Sequence, residues 1–192
     1  MSHILDEKKP HVGGAWLNCD PNAHDEKVFD RMAQILDVYS VVSIGCGQGF
    51  CVKHFISKGI ETIGIDGSET TKEMAVCPKD KIIIHDYTEG KIKLNKIYDL
   101  GLCVEFVEHI EEQYLPNFID TFKQCKFVAM THAVPEQSGY HHVNLQESKY
   151  WIDEMSRNGL FYLQGFSKEL RSMTEALHLK RNLMIFANTK IV

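Results

Sequence analysis

The chain has 192 residues, 44% of them hydrophobic, 24% charged and 10% aromatic, and carries a formal net charge of −5. That length suits one globular domain with a single core, and the mild acidity gives no broad basic field, so neither nucleic acid nor an anionic membrane surface is expected as a partner. Six scattered cysteines without a Cys-x-x-Cys pair, the polar start MSHILDEKKP and the lack of an apolar run near the roughly 18 residues of a membrane span lead us to expect a soluble, cytoplasmic protein with free thiols.

Residues 1–20 read as an irregular segment, made flexible by Gly13-Gly14, and 21–192 as a single domain. Asp20-Pro21 offers a helix cap followed by a first-turn proline, and beyond it Val28, Phe29, Met32, Ile35 and Leu36 recur at helical spacing. A strand is predicted over 41–44, then three alternate glycines, then a helix carrying Cys51, Val52, Phe55 and Ile56 that Gly59 stops. Further strands are predicted over 60–65, 81–84, 98–103 and 127–131, with a short helix over 68–74 and another marked by Leu115, Phe118, Ile119 and Phe122. Asn144 with Glu147 resembles a capping box that opens a helix bearing Tyr150, Trp151, Ile152 and Met155 and stops at Gly159. Two last strands, over 161–166 and 183–187, flank a helix starting near Ser167. Apolar strands alternating with amphipathic helices predict a doubly wound α/β domain, its largely parallel sheet covered on both faces.

Such sheets bind ligands outside the carboxyl ends of their strands. The first strand ends in Gly45-Cys46-Gly47-Gln48-Gly49, the second in Asp66-Gly67 and the third in His85-Asp86-Tyr87; the fourth runs through Cys103 to Glu105, and His132 follows the fifth. Glycines permit positive φ and close ligand approach, and a carboxylate one strand over can accept two hydrogen bonds from a ribose diol. Each feature alone has an ordinary explanation as a turn or a cap. Their joint occurrence at successive strand ends fits a nucleoside with a compact tail. The third glycine comes one residue earlier than in G-x-G-x-x-G, which disfavours a nicotinamide dinucleotide, and with it an NAD(P)-dependent oxidoreductase.

The stretches VVSIGCGQG, ETIGIDGS, HDYTEG and DLGLCVEFVEHI together resemble the class I S-adenosylmethionine-dependent methyltransferases, and the resemblance covers most of the chain. It implies a Rossmann-like, mostly parallel seven-stranded sheet with an antiparallel edge strand, and S-adenosylmethionine as cofactor. It also implies that Gly45, Cys46, Gly47, Gln48 and Gly49 pass beside the methionine part, that Asp66 and Gly67 meet the ribose, and that Asp86 and Tyr87 meet the adenine. Cys103 and Glu105 take the place of the family's fourth-strand terminus. HVGGAWL and GYHHVNLQESKYWIDEMSRNG are similar to segments of small stand-alone methyltransferases of viral and bacterial origin, in which the amino-terminal piece is expected to cover the cofactor.

A sulfonium methyl is already activated, so such an enzyme mainly aligns nucleophile, carbon and sulfur and excludes water; orientation contributes on the order of 7–11 kcal/mol. A hydroxyl acceptor gains about 10²–10⁴ in rate from a positioned base. His109, His132, His141 and His142 are the candidates, with His142 preferred, His132 beside it, and His109 read as fixing its loop. A metal is not expected: His141 and His142 are adjacent and so point apart, Glu136 notwithstanding, and no His-x-x-x-His or Cys/His spacing occurs. Cys103-Val104-Glu105-Phe106 departs from the Asn/Asp-Pro-Pro-Tyr stretch of base-methylating enzymes. The expected activity is therefore methylation of a small-molecule, sugar or lipid-head acceptor at oxygen. A non-catalytic S-adenosylmethionine-binding partner of another methyltransferase is the alternative.

Overall fold

The computed structural model describes residues 3–4, 9–12 and 15–192, so Gly13-Gly14 lies outside the described residues. Seven strands form one sheet: β1 (Ser40–Ile44), β2 (Glu61–Asp66), β3 (Ile82–Ile84), β4 (Tyr98–Cys103), β5 (Cys125–Met130), β6 (Leu160–Tyr162) and β7 (Met184–Asn188). Their order is β3-β2-β1-β4-β5-β7-β6. The pairings from β3 through to β5 are parallel, and β7 runs antiparallel to both of its neighbours, β5 and β6. This is the expected Rossmann-like arrangement, with the reversed strand set one place in from the edge. A separate two-stranded ladder joins His3–Ile4 to Ala15–Trp16.

Central position explains the sequence of β1 and β4, which are buried along their whole length and so carry few of the polar alternations of a half-exposed strand. Successive residues feed opposite cores. Val42 and Ile44 pack with Phe118, Phe122 and Trp151 on one face, from α4 (Leu115–Phe122) and α5 (Ser148–Arg157). Val41 packs with Phe29, Met32, Phe55 and Leu170 on the other, from α1 (Glu26–Ile35), α2 (Phe50–Ser57) and α6 (Gln164–Ser172). The short α3 (Glu69–Glu73) and α7 (Leu177–Asn182) complete the set. Chain order reverses direction across the β1–β4 pair, which creates a crevice at the carboxyl ends of those strands. No helix among the described residues is long and apolar enough to cross a membrane.

Three local expectations need correction. The first helix begins at Glu26, capped by Asp25, whose carboxylate accepts from Lys27 N (2.9 Å) and Val28 N (3.4 Å); Asp20 instead closes a turn on Asn22 N (2.9 Å). Asn144 is not a cap: it is buried and donates from Nδ2 to Val107 O (3.3 Å), while Glu147 precedes α5 without a side-chain cap bond. The run 161–166 is not one strand, because Ser167 N donates to Leu163 O (2.9 Å), a helical bond that starts α6 and leaves β6 three residues long.

Asp25 also accepts from Thr174 Oγ1 (2.6 Å), tying α1 to the segment after α6. Asp25→Ala should therefore lower unfolding free energy in urea by about 1–2 kcal/mol, the upper range for a lost cap. Asp20→Ala should cost less, and equal losses would speak against the reassigned cap.

Candidate functional site

A cavity of about 430 Å³ opens at the carboxyl ends of β1, β2 and β4. Its floor is the glycine turn after β1, where Gly45, Gly47 and Gly49 have φ of +65°, +53° and +80°. A side chain is strained in that region, and at Gly45 it is also excluded by space: an added Cβ would come within 2.5 Å of the Phe106 ring. Gly45, Cys46, Gly47 and Gln48 line the cavity, whereas Gly49 caps α2 and faces Cys77.

Asp66 fixes the turn. Its Oδ2 accepts from Gly47 N (2.8 Å) and its Oδ1 from Ser68 N (3.0 Å). Burial pushes its carboxyl up to about 6, against the opposing effect of those two bonds. Asp66 and Gly67 both line the cavity, and Val12 of the amino-terminal segment packs where a Gly67 side chain would stand.

Asp86 and Tyr87 also reach the cavity, each largely committed to other partners. Asp86 Oδ1 accepts from Thr88 N (2.9 Å) and Thr88 Oγ1 (2.7 Å), and Oδ2 accepts from Lys9 Nζ (3.0 Å) and lies 3.0 Å from His11 Nε2. Burial alone would raise the Asp86 carboxyl, but the hydrogen bonds from His11, Thr88 and Lys9 outweigh it and hold it well below the usual carboxylate range. Tyr87 is buried, with its hydroxyl 3.0 Å from Thr121 Oγ1 and its ring edge-on to Phe106.

The end of β4 divides the expected residues. Cys103 is fully buried in the core and does not line the cavity. Glu105 does, on a backbone with φ of +52°, rare for a residue other than glycine. Thr131 Oγ1 donates to Glu105 Oε1 (2.9 Å) and accepts from Glu105 N (2.8 Å), and His178 Nδ1 lies 3.4 Å from Oε2. Burial raises the Glu105 carboxyl, partly offset by His178 and Thr131.

The four histidines separate cleanly. His132 is wholly buried, 3.0 Å from Ser148 Oγ, and outside the cavity lining, so the structure places it in the core, apart from the other candidates. His141 is also absent from the lining, with φ of +49°. His142 lines the cavity and its Nδ1 sits 2.9 Å from Gln137 O; since a carbonyl only accepts, Nδ1 carries the proton and Nε2 keeps a lone pair. His109 lines the cavity too, its ring 5.0 Å from that of His142, and burial followed by that neighbour lowers its pKa to about 4. One donor atom from each of Glu108, His109 and His142 lies within 4.8 Å of the others. Sequence reasoning missed His11, Phe106, His178 and Arg181, all of which line the cavity; Phe106, directly after Glu105, and His11, at the head of HVGGAWL, stood in stretches already marked for function, whereas His178 and Arg181 did not.

No protein-family model matches the chain. It is 25% identical over 104 residues to a ubiquinone biosynthesis O-methyltransferase of Rickettsia conorii, a match covering 51% of this chain and 36% of the relative. It is 26% identical over 151 residues to a pavine N-methyltransferase of Thalictrum flavum subsp. glaucum, covering 73% of this chain and 42% of the relative. The chain thus spans less than half the length of these curated relatives. Among solved structures, the methyltransferase domain of bacterial-CtHen1-CN superposes with a TM-score of 0.60 at 15% identity, over 84% of this chain and 96% of that one, a likeness of fold.

Because the Asp86 carboxyl is depressed in the folded state, its pairing stabilises the fold above the unfolded-state value of about 3.9 and is lost as pH falls through and below it. Between about pH 5 and 2 the wild type should lose on the order of 1–2 kcal/mol more than Asp86→Asn. Urea melts across that range measure it, and parallel acid slopes would refute the pairing.

Proposed function

We propose that this chain, a class I S-adenosylmethionine-dependent methyltransferase, moves the sulfonium methyl of its cofactor onto an oxygen of a small-molecule, sugar or lipid-head acceptor. The observation that carries the reading is the glycine turn: of its three left-handed glycines, Gly45 and Gly47 line a cavity beside Asp66, and Gly45 is closed to any side chain by Phe106. A main chain this bare lets a ligand approach backbone N–H groups directly. The methionine part lies along Gly45, Cys46, Gly47 and Gln48. The ribose diol donates to Asp66, and the adenine sits between Asp86 and the ring cluster of Tyr87 and Phe106.

The amino-terminal segment acts as a cover over this cofactor. His11, Val12, Cys19 and Asp20 line the cavity, and Lys9 and His11 bind Asp86, so the segment is fastened to the adenine end of the site. Water exclusion of this kind strengthens every electrostatic contact inside. The acceptor enters on the side of Glu105, His142, His178 and Arg181. The reaction is an in-line displacement: the acceptor oxygen forms a bond to the methyl carbon as the carbon–sulfur bond breaks, leaving a neutral thioether. The acceptor proton passes to the His142 Nε2 lone pair. Neither a non-catalytic cofactor-binding role nor a dinucleotide-dependent oxidoreductase is favoured by any feature of the site.

Calorimetry should show heat of binding with S-adenosylmethionine and S-adenosylhomocysteine and none with NAD; the opposite pattern would overturn the cofactor reading. Because the Asp66 carboxyl titrates near pH 6 in the fold, affinity for S-adenosylhomocysteine should fall as pH is lowered through about 6, when the ribose acceptor becomes protonated. Asp66→Asn should bind more weakly and lose that pH dependence. His142→Ala should reduce turnover by about 10²–10⁴ while S-adenosylhomocysteine affinity stays nearly constant. Full turnover in that variant, followed as S-adenosylhomocysteine release across an acceptor panel, would remove His142 from the mechanism.

A further inference from the structure

Glu108 is fully buried, and neither oxygen of its carboxylate makes a well-formed hydrogen bond among the described residues, although the Glu105 carboxyl and the backbone of Phe106 and Glu108 lie close by. His109 Nδ1 is likewise buried without a partner. A fully buried carboxylate satisfied this poorly is among the least favourable arrangements a fold can hold. Glu108, His109 and His142 lie together, one donor atom of each within 4.8 Å of the others.

Backbone bonds make the cluster a built feature. Val143 N and Asn144 N both donate to Glu108 O, at 2.9 and 3.1 Å, and the buried Asn144 Nδ2 donates to Val107 O at 3.3 Å. These three bonds clamp the loop bearing His142 onto the turn Val107–His109. His142 Nδ1 is occupied by Gln137 O, which leaves Nε2 as its available donor atom.

From this arrangement we infer that Glu108, His109 and His142 hold a divalent first-row transition-metal ion in the wall of the cavity. Two imidazoles and one carboxylate, with no thiolate, make a donor set that suits zinc, iron, cobalt or manganese and leaves coordination positions open. Spacing along the sequence conceals the site because His142 comes from a different loop, and the pair considered there, His141 with His142, is not the pair that meets. His109 and His142 line the cavity, so the ion would border the acceptor side. On the methyl-transfer reading, on which this second half of the inference rests, the ion polarises the acceptor oxygen as a Lewis acid. The ion would also engage the His142 lone pair, so in the loaded protein His142 holds the ion in place of acting as base, and the proton of the polarised acceptor hydroxyl would pass to water.

The test uses the full chain stripped with a chelator and then titrated with Co²⁺, followed by visible absorption, and with Mn²⁺ by equilibrium dialysis. One ion per chain is expected, with a cobalt spectrum showing nitrogen and oxygen ligands and a melting temperature raised by about 5 °C at saturating metal. Glu108→Gln and His142→Ala should each weaken binding by at least about tenfold, while Glu136→Gln, outside the cluster, should bind as the wild type does. A cooperative thermal melt of each metal-free variant, followed by far-ultraviolet circular dichroism, confirms folding without reference to metal or cofactor, and His109→Asn substitutes for any variant that fails it. Absence of stoichiometric binding by the wild type, or binding unchanged in two folded ligand variants, overturns the site. If cobalt binds and S-adenosylhomocysteine does not, the metal site stands and the cofactor reading falls.

Discussion

One carboxylate joins the two strands on which the site is built. Asp66, at the end of β2, accepts from the backbone of Gly47 in the turn after β1 and from Ser68 in its own loop. Next to it, Cys46 N donates to Ile65 O at 3.0 Å, extending the β1–β2 ladder by one more bond before the chain turns away. The left-handed torsions of Gly45, Gly47 and Gly49 cost roughly 1–2 kcal/mol each in any residue with a Cβ. With glycine that penalty vanishes, and two hydrogen bonds suffice to hold the turn in one shape. Each Asp66 oxygen keeps a further lone pair, so the group that shapes the floor can also receive a ligand.

The walls follow from that floor. Gly45 admits the Phe106 ring, Phe106 packs edge-on with Tyr87 and Phe118, and the ring cluster meets the core under α4. To deliver Phe106 to that position the chain passes through Glu105 at φ of +52°, a strained geometry held by the reciprocal bonds with Thr131. Strain of this kind persists where surrounding contacts fix it, and it gathers at functional sites. Asp86 plays a different part: its carboxylate ties Lys9 and His11 to the chain after β3, so the amino-terminal segment is anchored at the edge of the cavity.

The main strands, the glycine turn and the strand-end acids were legible because each depends on local chemistry: apolar runs of strand length, glycine torsions, a carboxylate directly after a strand. Residues set by tertiary partners were not. His132 follows a strand in the same way as the cavity-lining acids, yet it points into the core toward Ser148, since side chains alternate faces and the sequence does not show which face a strand-end residue takes. Asp20-Pro21 carries a good cap signal, but Asp25 wins the role through its additional bond to Thr174, far away in the chain. Asn144 has the spacing of a capping box and is instead spent on the turn beside Glu108. His178 comes from the far end of the chain from His11 and HVGGAWL, and no local pattern marks it as a neighbour of the same cavity.

That turn poses the sharpest energetic problem in the molecule. Burial and the negative charge of Glu105 together drive the Glu108 carboxyl well above its ordinary value, so the isolated chain favours a proton there. A proton removes the charge but can satisfy only one oxygen, and it does nothing for His109 Nδ1. A glutamine or leucine would fill the same space without the penalty. A cation satisfies the carboxylate, His109 and the Nε2 of His142 together, and it explains why three hydrogen bonds are devoted to bringing that loop against Glu108. The arrangement is poor as a structural device and coherent as a ligand set.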